Sequence, residues 1–124
     1  MENTFETEIN YCNTELTVKE KIKFKNLNDS IAINTLENGT ILTVDKWGVL
    51  QIHNGKLDEP DYQNVLLVTP EGNKYHTSSN SFFMALSDIQ SELDEAGEKG
   101  AFDIKIVKKQ SKNNSGQFIT CTLA

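Results

Sequence analysis

The chain has 124 residues, of which 37% are hydrophobic and 24% charged, and its formal net charge is −6. This length predicts a single domain, residues 1–124, and the lack of any run near ~20 apolar residues excludes a membrane-spanning helix. The acidic, polar first residues differ from a secretory signal, so we expect a cytoplasmic protein. Cys12 and Cys121 lie far apart in the sequence and are expected to be free thiols.

Charge is distributed unevenly along the chain. Residues 86–98 contain five acids and no base, whereas residues 16–25 and residues 102–124 each contain four lysines against one acid. The chain has no arginine, which is the residue that most often reads guanine in a groove. Lysine contacts phosphates without reading bases. A nucleic acid bound by these regions would therefore be bound independently of its sequence.

Alternating apolar and polar residues predict the strands of the first half. A short strand is expected around Ile9 to Cys12, and a half-buried strand from Leu16 to Lys25. In the second of these strands the lysines fall on alternate positions and would share one face: Lys19, Lys21, Lys23 and Lys25.

An Asn-Gly turn at residues 38–39 leads into a long strand predicted from Ile41 to His53. Strict alternation places four apolar residues on the buried face of this strand: Leu42, Val44, Leu50 and Ile52. The same alternation places Trp47 on the polar face, beside Asp45 and His53.

The next strands are short and separated by turn residues. A polar surface loop is expected at residues 56–63, followed by a buried strand at residues 65–68. Pro70 to Asn73 has the composition of a hairpin turn, and residues 74–77 would form the returning strand.

One amphipathic helix is predicted after these strands. Apolar residues recur at intervals of three and four from Phe82 to Leu93, behind capping residues at 79–81, and the helix would end near Gly97 or Gly100. A hairpin of residues 102–109 and 117–123 follows. The chain is thus predicted to be mainly β, an OB-type five-stranded barrel with one amphipathic helix before the C-terminal hairpin. An α+β sandwich with one covering helix is the alternative.

The sequence contains no motif for catalysis. His53 and His76 have no partner at a spacing typical of zinc ligands, and no nucleophile, phosphate-binding or dinucleotide-binding pattern is present. The acids of residues 86–98 are typical of a solvated helix face. We therefore expect no enzymatic activity, no metal and no cofactor.

Aromatic residues on polar strand faces indicate binding. Trp47 and Phe118 both fall on such faces, where a large aromatic needs either a covering layer or a stacked ligand. Tyr62, in the polar loop, and Tyr75, in the strand after the hairpin turn, are further candidates. The functional interpretation is a platform on which bases stack. The structural interpretation is that these rings fill a barrel end or a second small core.

Lysines complete the predicted site. The lysine face of residues 19–25 would follow the backbone of a nucleic acid, although lysines also protect edge strands against aggregation. The nucleic-acid-binding residues predicted from the sequence are Trp47, Tyr75, Tyr62, Phe118, Lys19, Lys21, Lys23, Lys25, Lys46 and Lys105.

Several short segments, in this order, carry a resemblance to a known family: residues 36–41, 65–75, 82–93 and 102–107, with the Met-Glu-Asn-Thr start. The chain resembles the small single-stranded-DNA-binding proteins of protein-primed, short-tailed phages and conjugative elements of Gram-positive bacteria. The resemblance implies an OB-like fold and sequence-independent coating of displaced strands during replication. It implies no catalytic residue, and of the predicted site residues only Tyr75 lies in a matching context.

The expected function is therefore binding and protection of single-stranded DNA during replication or transfer of a phage or mobile element, in the host cytoplasm if a phage encodes the chain. Replication proteins would be further partners, through the acidic helix of residues 86–98. One alternative is a host-takeover protein that binds a host protein through this acidic helix. Another is a structural or assembly protein of a virion.

Overall fold

The computed structural model describes residues 5–55, 61–110 and 117–124, and it is mainly β. The described strands form a five-stranded sheet in the order β1-β4-β5-β6-β2 and a three-stranded sheet in the order β3-β7-β8. These sheets do not close into a barrel. The strands are β1 (Phe5–Cys12), β2 (Ile31–Ala32), β3 (Ile41–Val44), β4 (Lys46–Asn54), β5 (Asp61–Val68), β6 (Lys74–Thr77), β7 (Phe102–Gln110) and β8 (Gln117–Leu123); the helices are α1 (Val18–Lys25), a 3₁₀ turn (Ile33–Thr35) and α2 (Asn80–Glu95).

The strand predicted from Leu16 to Lys25 is wrong, because this segment forms helix α1. The hydroxyl of Thr17 accepts a hydrogen bond from the backbone N–H of Glu20, and the Glu20 carboxylate accepts one from the backbone N–H of Thr17 at 2.8 Å. This capping box satisfies two N–H groups that have no partner within the helix. The four lysines alternate along a helix, on which alternate residues do not share a face. They therefore do not form one row.

Lys74 of β6 holds the end of α1. Its Nζ donates to the carbonyl oxygens of Lys23 and Asn26, at 2.5 and 2.9 Å, and pairs with the Asp29 carboxylate at 3.0 Å. A cation suits this position because the last carbonyls of a helix carry partial negative charge. The helix is thereby fixed to the five-stranded sheet at its C-terminal end.

The long strand predicted from Ile41 to His53 bends at Asp45 and divides into β3 and β4, which belong to different sheets. The backbone N–H of Asp45 donates to the carbonyl of Val68 at 2.9 Å, while Lys46 is the register partner of Val68. Two residues therefore face one, as in a β-bulge, and every side chain beyond the bulge changes face.

This change of face corrects the placement of Trp47. Its side chain is 2% exposed and lies in the larger core cluster with Leu42, Val44 and Val49. Leu50, which was predicted to share a face with Leu42, lies in the smaller cluster on the other side of the sheet. The predicted position of Trp47 on a wet strand face is therefore wrong.

The five-stranded sheet is covered on both faces. On one face, Phe82 and Leu86 of α2 and the inner side of the three-stranded sheet pack on Trp47 and its neighbours. On the other face, Phe24 of α1 packs on Leu50 and the residues around it. The two helices therefore lie on opposite faces of this sheet.

The predicted amphipathic helix and C-terminal hairpin are confirmed as α2 and β7-β8. The Ser79 hydroxyl accepts from the backbone N–H of Phe82 at 3.2 Å and caps the first turn of α2. Gly97 takes a positive φ of 73° just past the end of the helix, which suits glycine. The tip of the hairpin, residues 111–116, lies outside the described residues, as does most of the predicted 56–63 loop.

The strand expected around Ile9 to Cys12 is present and extends back to Phe5. Among the described residues, no helix is long and apolar enough to cross a membrane.

Candidate nucleic-acid interface

The three-stranded sheet has one face turned away from the core, called here the outer face. Residues directly opposite each other in a sheet point to the same side. The pairs on this side are Ile41 with Lys105, Thr43 with Asp103, Lys105 with Thr122, Val107 with Thr120, and Lys109 with Phe118. The alternate residues of these strands, such as Leu42, Ile104 and Cys121, are buried in the core. The outer face is thus defined by Ile41, Thr43, Asp103, Lys105, Val107, Lys109, Phe118, Thr120 and Thr122.

Phe118 is the aromatic group of the outer face. Its side chain is 37% exposed, and it lies directly opposite Lys109 on the neighbouring strand. An aromatic ring beside a lysine on an open sheet presents a surface for a flat ring and a cation for a nearby anion.

The outer face is locally positive although the chain is acidic. Lys105 and Lys109 are exposed, and within the described residues neither has an ion-pair partner. The acid on this side, Asp103, accepts a hydrogen bond from the hydroxyl of Thr43 at 2.6 Å. Lys108 points elsewhere, and its Nζ donates to the carbonyl of Asn34 at 3.0 Å. Two cations therefore remain available for an anionic ligand.

The structure brings together Phe118 and Lys105 from the predicted site, but not the other members. Trp47 is buried and has no ring face open to a base, so its prediction as a stacking residue is wrong. Tyr62 belongs to β5, not to a loop, and packs partly on the smaller core cluster. Tyr75 belongs to β6 and packs partly on the larger one.

The remaining predicted lysines are four in α1 and Lys46 at the start of β4. The four lysines of α1 are exposed on the helix that covers the other face of the five-stranded sheet. Lys46 is paired, with its Nζ 3.1 Å from the Asp45 carboxylate and 3.8 Å from that of Glu20. The lysines of α1 therefore cannot join Phe118 in one site on the outer face, and Lys46 is held by its two carboxylate partners.

Sequence reasoning missed Tyr11, a second exposed aromatic residue. Its ring is 41% exposed and packs against Trp47, with the ring centroids 5.0 Å apart and a 52° angle between planes. The two rings border a groove of about 480 Å³ that also includes Asp94. Burial, followed by the negative charge of Asp94, raises the pKa of Tyr11. The carboxylate makes this groove less suited to a phosphate than the outer face.

Sequence reasoning also left Lys109 out of the site. The signal was present, because Lys109 and Phe118 are placed opposite each other by a hairpin whose two strands were predicted. In a hairpin with these two strands, residues at equal distances from the tip are opposite each other, which pairs Lys109 with Phe118.

The two thiols show no sign of reactivity. Burial raises the pKa of the Cys121 thiol to about 12 and also raises that of Cys12. Both thiols are therefore protonated near neutral pH, and only a thiolate is a strong nucleophile.

The chain matches a family of known proteins. The family model described as Phage Single-stranded DNA-binding protein matches residues 3–124. No curated protein and no solved structure matches the chain significantly. The family match covers both sheets, both helices and the outer face.

Proposed function

The chain belongs to the family of phage single-stranded DNA-binding proteins, and we propose that it binds its strand across the outer face of the three-stranded sheet. Membership of the family confirms the resemblance noted in the sequence and the expected function, single-stranded DNA binding in phage replication. The proposal concerns where the strand lies and what recognises it.

The observation that carries the proposal is the pair formed by Lys109 and Phe118. Stacking of a base on an aromatic side chain contributes about 1–3 kcal/mol and tolerates any base, because every base has a flat face. A lysine beside the ring can reach the phosphate that joins successive nucleotides. Lys105 lies four residues along the same strand, or ~13 Å at ~3.3 Å per residue, and can reach a second phosphate.

Sequence-independent binding follows from the residue types on this face. The outer face has lysines, threonines, apolar side chains and one acid, Asp103, which is hydrogen-bonded to Thr43. With no arginine in the chain, the commonest means of reading guanine is absent. We infer that the strand is held by its backbone and by stacking, as coating of any displaced strand requires.

The net charge of −6 does not oppose this assignment. Five of the acids lie in residues 86–98, in and after α2, which packs on the inner side of β8. The acids are therefore carried by a different element from the lysines of the outer face. Local charge matters most because exposed charges are screened beyond roughly 10 Å at moderate salt.

The fold also supports an OB-like arrangement. An OB-type domain is a partly open barrel, and here β3 and β4 form one bent strand that belongs to both sheets. We infer that the domain spans residues 1–124 and acts by binding alone in the host cytoplasm, where phage DNA is replicated.

The test is a titration with fluorescently labelled oligo(dT) of one site length. Phe118→Ala is expected to weaken binding about 5- to 150-fold, the equivalent of ~1–3 kcal/mol, while Phe118→Tyr keeps a stacking ring and binds like the parent. Ile31→Ala, which removes an exposed apolar side chain on another sheet, serves as the matched control. If Phe118→Ala folds normally and binds oligo(dT) like the parent, the outer face is not the interface.

A further inference from the structure

Helix α1 has an exposed surface that the DNA-binding face does not use. Val18 and Ile22 are 74% and 63% exposed and, four residues apart, they form one stripe along the helix. Two exposed lysine pairs at the same spacing flank this stripe, Lys19 with Lys23 on one side and Lys21 with Lys25 on the other. An apolar stripe between cations on a short helix fits a partner that is both apolar and acidic.

Helix α2 presents such a surface. Met84 is 58% exposed, and Asp88, Glu92 and Glu95 follow it on the same side of the helix at intervals of three and four. These acids are exposed, and no base occurs in residues 80–98. The exposed sides of the two helices are thus complementary in charge, and Met84 of α2 offers an apolar partner to the stripe of α1.

The two helices cannot meet within one molecule. Phe24 anchors α1 on the face of the five-stranded sheet that holds Leu50, whereas Phe82 anchors α2 on the face that holds Trp47. A contact between the two exposed sides must therefore join two copies of the chain. Because it uses a different surface on each copy, it is head-to-tail and can continue from copy to copy.

We propose that α1 of one copy docks on the exposed side of α2 in the next copy. The arrangement leaves the outer face of every copy open, so a row of copies can follow one strand of DNA. The proposal goes beyond DNA binding and does not depend on where the strand lies, because the contact is between protein surfaces.

A second copy fits α1 better than a DNA strand does. Phosphates would match the lysines but would give Val18 and Ile22 no apolar partner. Met84 of a second copy provides that partner. The lysines also lie on the far side of the five-stranded sheet from the three-stranded one. DNA binding by α1 is nevertheless a distinct outcome of the experiment below.

The experiment is a charge exchange followed by sedimentation velocity without DNA. One variant carries Lys19→Glu and Lys23→Glu, and the other carries Asp88→Lys and Glu92→Lys. At about 0.01 M salt, where the Debye length is ~30 Å, the parent is expected to sediment faster as its concentration rises, and each variant alone is expected to remain monomeric. An equimolar mixture of the two variants is expected to associate again, since each acidic surface then meets a basic one.

The control variant carries Glu6→Lys and Glu8→Lys, which changes the net charge as much but alters exposed residues of β1. It is expected to associate like the parent, and Ile22→Ser is expected to weaken association without changing the charge. Association of the parent should disappear at about 1 M salt, where the Debye length is ~3 Å.

Three results would overturn the proposal. The first is a parent that is monomeric at every concentration and also fills poly(dT) without cooperativity. The second is a mixture of the exchange variants that does not associate, which would mean that α2 binds another partner, such as a replication protein. The third is a loss of affinity of the Lys19→Glu, Lys23→Glu variant for an oligo(dT) that holds one copy, which would assign α1 to DNA. None of these results depends on Phe118. Failure of this proposal can therefore be distinguished from failure of the proposed DNA-binding face, which the Phe118 variants test.

Discussion

The indole Nε1 of Trp47 donates a hydrogen bond to Oε1 of Gln90 across 2.9 Å, which joins β4 to α2. Asn13 completes the arrangement, because its Oδ1 accepts from the backbone N–H of Trp47 at 3.0 Å and its Nδ2 donates to Gln90 Oε1 at 3.5 Å. The tryptophan therefore organises the core and does not face a ligand.

Loss of this hydrogen bond should destabilise the fold. Gln90→Leu replaces the amide with an apolar side chain of similar size and leaves the indole N–H without its acceptor. We expect the free energy of unfolding to fall by about 1–3 kcal/mol. Urea unfolding followed by Trp47 fluorescence measures the change, with Ser91→Ala on the same helix as control. An unchanged midpoint would show that water replaces the amide without cost.

A methyl group at position 48 should also destabilise the fold. A Cβ at Gly48 would lie 3.0 Å from two ring carbons of Phe24 and closer still to the carbonyl oxygen of Tyr11. Gly48→Ala must displace the backbone of β1 or the Phe24 ring of α1. We expect this overpacking to lower the free energy of unfolding by about 1–3 kcal/mol. Thermal unfolding tests this, with the exposed Ser78→Ala as reference. Equal melting temperatures would contradict the close packing of α1.

The capping box of α1 should make stability depend on pH. The backbone N–H of Thr17, followed by its hydroxyl and the Lys46 ammonium, lowers the pKa of Glu20. A carboxylate with a lowered pKa stabilises the fold above its ordinary pKa, and this stabilisation is lost as the pH falls through the lowered value. Glu20→Gln keeps an acceptor that does not titrate.

We therefore expect the difference in unfolding free energy between the parent and Glu20→Gln to be constant near neutral pH and to shrink in acid. Unfolding by urea at a series of pH values measures it, and Glu8→Gln on β1 is the control. A difference that stays constant into strong acid would mean that Glu20 does not cap the helix.

The lysines of the outer face should determine part of the salt dependence. For single strands, each phosphate neutralised contributes about 0.7 to the slope of log affinity against log salt concentration. Lys105→Ala with Lys109→Ala should lower that slope by about 0.7 for each lysine that contacts a phosphate. Fluorescence anisotropy of labelled oligo(dT) over a salt series measures it, with Lys99→Ala as control. A weaker affinity with an unchanged slope would argue against phosphate contacts.

A tryptophan on the outer face should report DNA directly. Trp47 is 2% exposed, so acrylamide should quench it weakly and a bound base cannot stack on it. Phe118→Trp adds an exposed indole opposite Lys109, and we expect oligo(dT) to quench this added emission to saturation. If only the parent emission from Trp47 changes, the strand lies near Tyr11 and not on the outer face.

Local signals explain what could be predicted from the sequence. Helix α2 has a capping serine and apolar residues at helical spacing, and the C-terminal hairpin has alternating strands that are close in sequence. Both were predictable because their signals lie within a few residues of the structure they specify. Phe118 and Lys105 could be placed on the outer face for the same reason.

Two predictions based on a periodic pattern are wrong, for different reasons. In α1, the alternating lysines suggested a strand, although the Thr-x-x-Glu of residues 17–20 is the signature of a capping box. At Asp45 the alternation of the two strand faces changes phase, and no residue type predicts a bulge of this kind. The burial of Trp47 follows from tertiary pairing of β4 with β1 and β5, which the sequence of one strand does not reveal.

The bend at Asp45 also limits the positions at which the chain can gain or lose a residue. Deleting one residue there would rejoin β3 and β4 in a single alternation and turn Trp47 and Val49 toward Phe24, away from α2. Turns such as the one at Gly72, which has open space around it and a backbone N–H bonded within the turn to Thr69, can vary in length at little cost. Across related genes, insertions and deletions should therefore collect at such turns, while the length of residues 41–54 stays constant.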